Sequence, residues 1–166
     1  MNKLILASKS PRRRQLLEMA EIDFEIISID TDESFPADLP IGQISTYIAK
    51  HNAIPIATKF ADRIVLAADT IVVLNQQIIG KPKDRQDAIQ ILTQLSGNTH
   101  EVITGVWMQQ NDKSRSFADH TLVEFHPISP AQIEFYVDKY KPFDKAGAYA
   151  IQEWIGAVAI KRIEGC

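Results

Sequence analysis

At 166 residues, 45% of them hydrophobic and 23% charged, the chain has the composition of an ordinary soluble globular protein with one substantial core. Its 18 Lys plus Arg against 21 Asp plus Glu leave a net charge of −3, which argues against bulk nucleic-acid binding and makes any basic site a local one. A single cysteine, Cys166, excludes an intrachain disulfide, as suits a reducing cytoplasm.

The first apolar run, "KLILAS" at residues 3–8, is too short for a secretory signal, and no segment could span a bilayer. A cytoplasmic location and one domain over residues 1–166 are therefore expected. That run leads straight into "SPRRRQLLEMA", a strand-to-helix turn with Ser10 as N-cap and Pro11 at the first helical position. "FEIISI" (24–29) reads as the next strand, followed by the acidic, loop-like "DTDESFPADLP". A helix pattern starts near Ile41, with Pro55 kinking or ending it. Residues 63–74, "RIVLAADTIVVL", are the most strand-like run, and "NQQ" reverses it into "IIG" as a hairpin.

Asp84 can cap a helix through Leu95, with Asp87 in its first turn and Ser96-Gly97-Asn98 ending it. "EVITGVWM" and "SFADHTLVEF" pair around the polar turn "QQNDKSR". Ser129 and Gln132 fit a capping box that opens a helix to about Tyr140. The loop "KPFDKAGAYAIQ" then precedes a last strand near "AVAIKRI". Strands and helices mix without strict alternation, so the class is α/β with a mixed sheet.

The first helix breaks a rule. Arg12, Arg13 and Arg14 fill its first turn, where the backbone N–H groups already carry partial positive charge and carboxylates are expected. A bound polyphosphate removes that repulsion, and a guanidinium donates two parallel hydrogen bonds to phosphate oxygens. Ser8 and Ser10 add hydroxyl donors. A helix cannot aim three successive arginines one way, so Arg14 is expected to be solvated or paired with Glu18 at i+4. The alternative is three surface residues whose stems lie on the protein.

Asp69 sits in "VLAADTIVV", apolar on both sides. A carboxylate there needs a metal, a cation or a catalytic role, or else it caps a neighbouring loop. Thr70 offers a hydroxyl on the opposite strand face, or at a bend. In "GKPKD", Gly80 permits close backbone approach and Pro82 stiffens the exit from Lys81, a fixed point charge for phosphate. Asn75 and Pro82 rule out a Walker A loop, and no G-x-G-x-x-G occurs. Asp30, Asp32 and Glu33 form either a solvated acidic loop or the source of a second carboxylate for Mg²⁺. The histidines 51, 100, 120 and 126 lack zinc-ligand spacing, no G-x-S-x-G elbow is present, and Cys166 is a poor nucleophile.

Five stretches, "LILASKSPRR", "AADTIVV", "GKPKD", "LSGNTHEVITGV" and "DKAGAYAIQ", occur in the order and spacing of the Maf family. The resemblance spans Leu4 to Gly165. It implies a Maf/ITPase-like elongated α/β fold, a mixed sheet flanked by helices, with the site in a cleft between two lobes and members that are often homodimers. The implied activity is a nucleoside triphosphate pyrophosphatase that releases a monophosphate and pyrophosphate with a divalent metal, taken as Mg²⁺. By motif, Asp69 corresponds to the catalytic proton acceptor. Arg12, Thr70 and Gln152 fall at substrate-discriminating positions, and Arg13, Lys81 and Glu33 at the phosphate and metal site; Ser8 joins the substrate-binding set.

"DKAGAYAIQ" resembles the branch acting on dTTP and UTP. A Gln amide offers an acceptor and a donor to match the N3–H and carbonyl of uracil or thymine; the alternative for Gln152 is to cap its loop. Whether Asp69 acts as base or metal ligand stays open at this stage. The competing role is a non-catalytic nucleotide-binding regulator linked to septum formation. Three departures stand out. Asn52 replaces a usual lysine, with Lys50 on a different helical face. Glu153-Trp154-Ile155 replaces a shorter Gly-containing stretch. Most members also continue past "IEG" through a G-L-P motif and a closing helix, so that final element is expected to be missing after Cys166.

Overall fold

The computed structural model describes residues 3–165; Cys166, the single thiol, lies outside them. In chain order the elements are β1 (Leu4–Leu6), α1 (Pro11–Met19), β2 (Phe24–Ile26), α2 (Ile41–Lys59), β3 (Val65–Leu74), β4 (Gln77–Ile79) and α3 (Arg85–Leu95). There follow β5 (Thr99–Gln110), β6 (Lys113–Phe125), α4 (Pro130–Tyr140), a 3-10 turn (Ala146–Ala148), α5 (Trp154–Ala159) and β7 (Ile160–Glu164). Among the described residues the strands form one sheet in the order β2-β1-β3-β5-β6-β7, with β4 added to β3. β1 is parallel to β2 and β3, whereas β4 and β7 run antiparallel to their partners. The α/β class with a mixed sheet is as expected. The parallel pairs require crossovers, which α1 and α2 supply.

The chain divides into two compact units, residues up to Asp69 with Thr104–Ala118, and Thr70–Ile103 with the residues from Asp119 onward. In the first, Ala49, Ala53 and Ala57 of α2 recur every fourth residue and bury against Ile5, Val65 and Ala67. Small side chains at i, i+4, i+8 make one helix face. Pro55 does not end this helix, which runs to Lys59. Pro55 is exposed while Ala53, Ile56 and Ala57 around it are buried, so the apolar face offsets the one missing backbone hydrogen bond. β2 stops at Ile26, short of the expected 29, because its partner β1 ends at Leu6 where the chain turns toward α1.

The second unit packs α3 and α4 around Leu92, Leu95, Phe125, Ile133 and Tyr136. The β3–β4 hairpin turns on Asn75 and Gln76, both left-handed at φ 51° and 64°, the signature of a two-residue type I′ turn. Asp84 caps α3 by accepting from the Asp87 backbone N–H, and Ser129 with Gln132 closes a full capping box on α4. Residues 154–159 are helical, so the last strand, expected near residues 157–163, begins only at Ile160. Ile155 and Ala159 bury together at i, i+4, a helical period that the short apolar run concealed. No helix among the described residues is long and apolar enough to cross a membrane.

Candidate active site

The arginine turn begins where β1 hands over to α1. Ser8 is buried, and its Oγ accepts from the Ser10 backbone N–H at 3.2 Å and from Arg13 Nη1 at 3.0 Å. Ser10 stands at the N-cap with extended backbone but makes no capping bond with its side chain, so Ser8 ties down the turn instead. No acidic residue occupies the first turn of α1. Arg13 is half-buried, and burial lowers the pKa of its guanidinium, with Arg12 pushing the same way. Asp69 opposes them most strongly and Glu33 adds to it. An arginine stays protonated through such shifts. Ser8, Arg12, Arg13, Glu33 and Asp69 are thus brought together in the first unit. Arg14 points elsewhere and pairs with Glu18 at 2.7 Å, as the i+4 spacing predicts.

The acidic loop divides its carboxylates by partner. Asp30 pairs with Lys9 at 2.6 Å. Asp32 accepts from the Ser34 hydroxyl at 2.7 Å and the Ser34 N–H at 2.9 Å, which lowers its pKa. Thr31 donates to the side-chain oxygen of Asn52, and Glu33 acts on Arg13. Asn52 therefore anchors the loop to α2 with an amide at the position where the family resemblance expects lysine. Lys50 does not take over that place: its ammonium lies over the Trp107 ring, 5.2 Å from the centroid.

Thr70 follows Asp69 on β3, with its side chain on the opposite face; it belongs with Lys81 and Gln152 to the second unit. Lys81 is exposed in the loop after β4. Asp84 and Asp87 fix the exit of that loop, the latter accepting from the Lys83 N–H at 2.8 Å. Gly80 and Gly147 join the two motif loops through an N–H to carbonyl bond of 3.1 Å. Gly147 is left-handed (φ 68°), and a Cβ there would come within 2.9 Å of the Val72 side chain, so only glycine fits. Gln152 is exposed in a turn closed by the Glu153 N–H on the Ala150 carbonyl at 3.1 Å.

Sequence reasoning passed over Lys145 and Tyr136, and noted Glu153 only as a departure from the family pattern. Lys145 is buried with its Nζ 2.8 Å from Asp144 and 3.3 Å from Glu153. The signal for it was a lysine inside an otherwise small and apolar motif, since a buried ammonium must find carboxylates. Nothing local marks Tyr136. No group of three or more His, Cys, Asp or Glu side chains stands together among the described residues. Mg²⁺ needs only one or two carboxylates besides water and phosphate oxygens, and Glu33 and Asp69, which both act on Arg13, are the carboxylates that could supply them.

Across residues 3–166 the sequence matches the family described as Maf-like protein, and the chain belongs to it. A dTTP/UTP pyrophosphatase of Cytophaga hutchinsonii is 48% identical, the match covering 98% of this chain and 74% of that protein. Proteins of the same name from Thermosipho africanus and Halalkalibacterium halodurans are 45% and 43% identical, covering 98% and 99% of this chain and 83% and 86% of theirs. Among solved structures, the Staphylococcus aureus Ham1 protein superposes with a TM-score of 0.54 at 15% identity, over 75% of this chain and 72% of that one, a likeness of fold alone.

Proposed function

We propose that this Maf-family chain is a nucleoside triphosphate pyrophosphatase that hydrolyses dTTP and UTP to the monophosphate and pyrophosphate. The observation that carries this reading is the Arg13 guanidinium, bonded to Ser8 and acted on by Asp69, Glu33 and Arg12, in a chain whose relatives bear that activity as their name. Two guanidiniums beside a helix N-terminus favour a polyphosphate, while Asp69 supplies a carboxylate to act on it.

In this mechanism Arg12 and Arg13 hold the phosphate tail, and Ser8 keeps the Arg13 fork oriented. Asp69 takes a proton from the water that attacks the α-phosphorus. A new P–O bond forms there, the bond to the bridging oxygen breaks, and pyrophosphate leaves with that electron pair. Lys81 balances the charge developing on it. A divalent metal would be held by Glu33, with Asp69 as the second candidate carboxylate, and would supply further charge neutralisation. Thr70 and Gln152 choose the base, the Gln152 amide meeting the N3–H and carbonyl of uracil or thymine. The substrate is a free nucleotide rather than a nucleic acid, consistent with the net charge of −3.

The test is pyrophosphate release from UTP, dTTP, GTP and ATP, each with and without Mg²⁺. Mg²⁺-dependent release from the two pyrimidine nucleotides, well above the purines, is the expected result. Binding without release, or equal turnover of all four, would overturn the reading.

A further inference from the structure

The turn that carries Gln152 is held from behind by one buried hydroxyl. Ala150 and Glu153 are its first and fourth residues, joined by their own backbone bond. Both are also tied to Tyr136 of α4. The Ala150 N–H donates to Tyr136 Oη at 3.4 Å, and Tyr136 Oη donates to a carboxylate oxygen of Glu153. The other Glu153 oxygen receives Lys145 Nζ at 3.3 Å. Tyr136 is fully buried, and the Lys145 side chain is 8% exposed. The remaining wall is Gly156, where a Cβ would come within 1.8 Å of the Ile151 carbonyl oxygen.

We propose that the Tyr136 hydroxyl, with Glu153 and Lys145, is a positioning clamp for base recognition: it fixes both ends of the 150–153 turn and thereby sets the amide of Gln152. The proposal rests on the reading of Gln152 as the base contact. Its physical basis is preorganisation. An exposed Gln has three rotatable bonds, and ordering it on ligand binding costs affinity unless its backbone is already fixed. A neutral hydroxyl alone would hold such a turn weakly. A hydrogen bond to an ionised carboxylate, itself neutralised by a buried ammonium, is about twice as strong as one between neutral groups. Tyr136 also stacks on Tyr140 with ring centroids 5.0 Å apart, so the ring stays in place when only the hydroxyl is removed.

Tyr136→Phe is therefore the informative variant, compared with Gln152→Ala and Glu153→Gln. The readout is the ratio of kcat/KM for UTP over CTP. Cytosine presents an amino donor and a ring acceptor where uracil presents the reverse, so this ratio reports the aim of the amide. Inhibition by inorganic tripolyphosphate reports phosphate binding, and thermal unfolding reports stability. Tyr136→Phe is expected to lower the UTP/CTP ratio by about tenfold, the equivalent of one charge-assisted hydrogen bond. The change should lie in KM for UTP, with tripolyphosphate inhibition unaltered. Glu153→Gln, which keeps an acceptor for the hydroxyl, should lose less.

A lower Tm with an unchanged UTP/CTP ratio in Tyr136→Phe would overturn the clamp. If Gln152→Ala in that case abolishes the preference, the base reading survives without the clamp. If Gln152→Ala leaves the preference intact, the base reading fails and takes the clamp with it. Should Tyr136→Phe not fold, Glu153→Ala against Glu153→Gln makes the same comparison, and equal ratios in the two would count against the proposal.

Discussion

Arg13 donates to the Ser8 hydroxyl across 3.0 Å, and the carboxylate that most strongly favours its charge is Asp69. The helix that opens with three arginines is thus not uniformly basic in its surroundings. One arginine bonds a serine and feels the charge of Asp69 and Glu33, one pairs outward with Glu18, and Arg12 adds to the positive potential at the helix start. The unfavourable interaction of cations with a helix N-terminus is a few tenths to about 1 kcal/mol per charge. A polyphosphate bound at the helix start would remove that cost.

Arg13→Lys is predicted to lower kcat/KM for UTP by at least about tenfold, because an ammonium cannot replace a fork that bonds Ser8 and phosphate together. Arg14→Ala, which removes only the outward pair with Glu18, is expected to stay within about twofold of the parent protein, as exposed i+4 pairs contribute little. Steady-state pyrophosphate release checks both. Parental kcat/KM in the Arg13→Lys variant would show that the fork geometry is immaterial.

Asp84→Ala should destabilise the protein by about 1 kcal/mol, the usual cost of losing an N-cap, and lower Tm by about 2–4 °C in a chain of this size. The cap accepts from the Asp87 N–H at 2.9 Å, and Asp87 in turn fixes the Lys83 N–H. KM for UTP should therefore rise along with the loss of stability, since the same bonds hold the exit of the Lys81 loop. Thermal unfolding and UTP kinetics on one preparation test the two effects together.

Stability should fall as the solution is acidified from about pH 6.5 toward pH 4. His100 is 2% exposed, its Nε2 lies 2.7 Å from the Tyr149 hydroxyl, and burial pushes its pKa down from 6.5 to about 4. Its Nδ1 has no hydrogen-bond partner among the described residues. The unfolded chain binds the proton that the folded one refuses, so stability rises with pH across this window. At about 1.4 kcal/mol per pKa unit the full effect is on the order of 3 kcal/mol. In His100→Gln the Tm-against-pH slope between 6.5 and 4 should flatten; an unchanged slope would assign the acid sensitivity to other groups.

Local chemistry makes most of this protein readable. The capping box at Ser129 and Gln132, the Asp84 cap, the Asn75-Gln76 reversal and the Arg14–Glu18 pair are all set by residues within four positions of one another, and each is visible as a spacing. Failures come where tertiary context decides. Pro55 reads as an interruption of α2, but the buried alanines on the opposite face carry the helix past it. Residues 157–159 read as the start of the last strand because a short apolar run has no readable period, and only the burial of Ile155 with Ala159 reveals a helix.

The site divides in the same way. Arg13 and Asp69 announce themselves by breaking rules, a cation at a helix start and a carboxylate in an apolar strand. Tyr136 breaks none. It is an ordinary buried aromatic in sequence, and its hydroxyl acquires a role only because α4 brings it behind a turn fourteen residues later.

In the proposed mechanism Asp69 performs chemistry on a nucleotide whose phosphates Arg12 and Arg13 hold. Asp69→Asn, assayed for pyrophosphate release from UTP beside direct measurement of UTP binding and Tm, tests it most directly. Turnover is expected to fall by about a hundredfold or more, with binding and folding retained. Turnover close to that of the parent protein in a well-folded Asp69→Asn variant would contradict it.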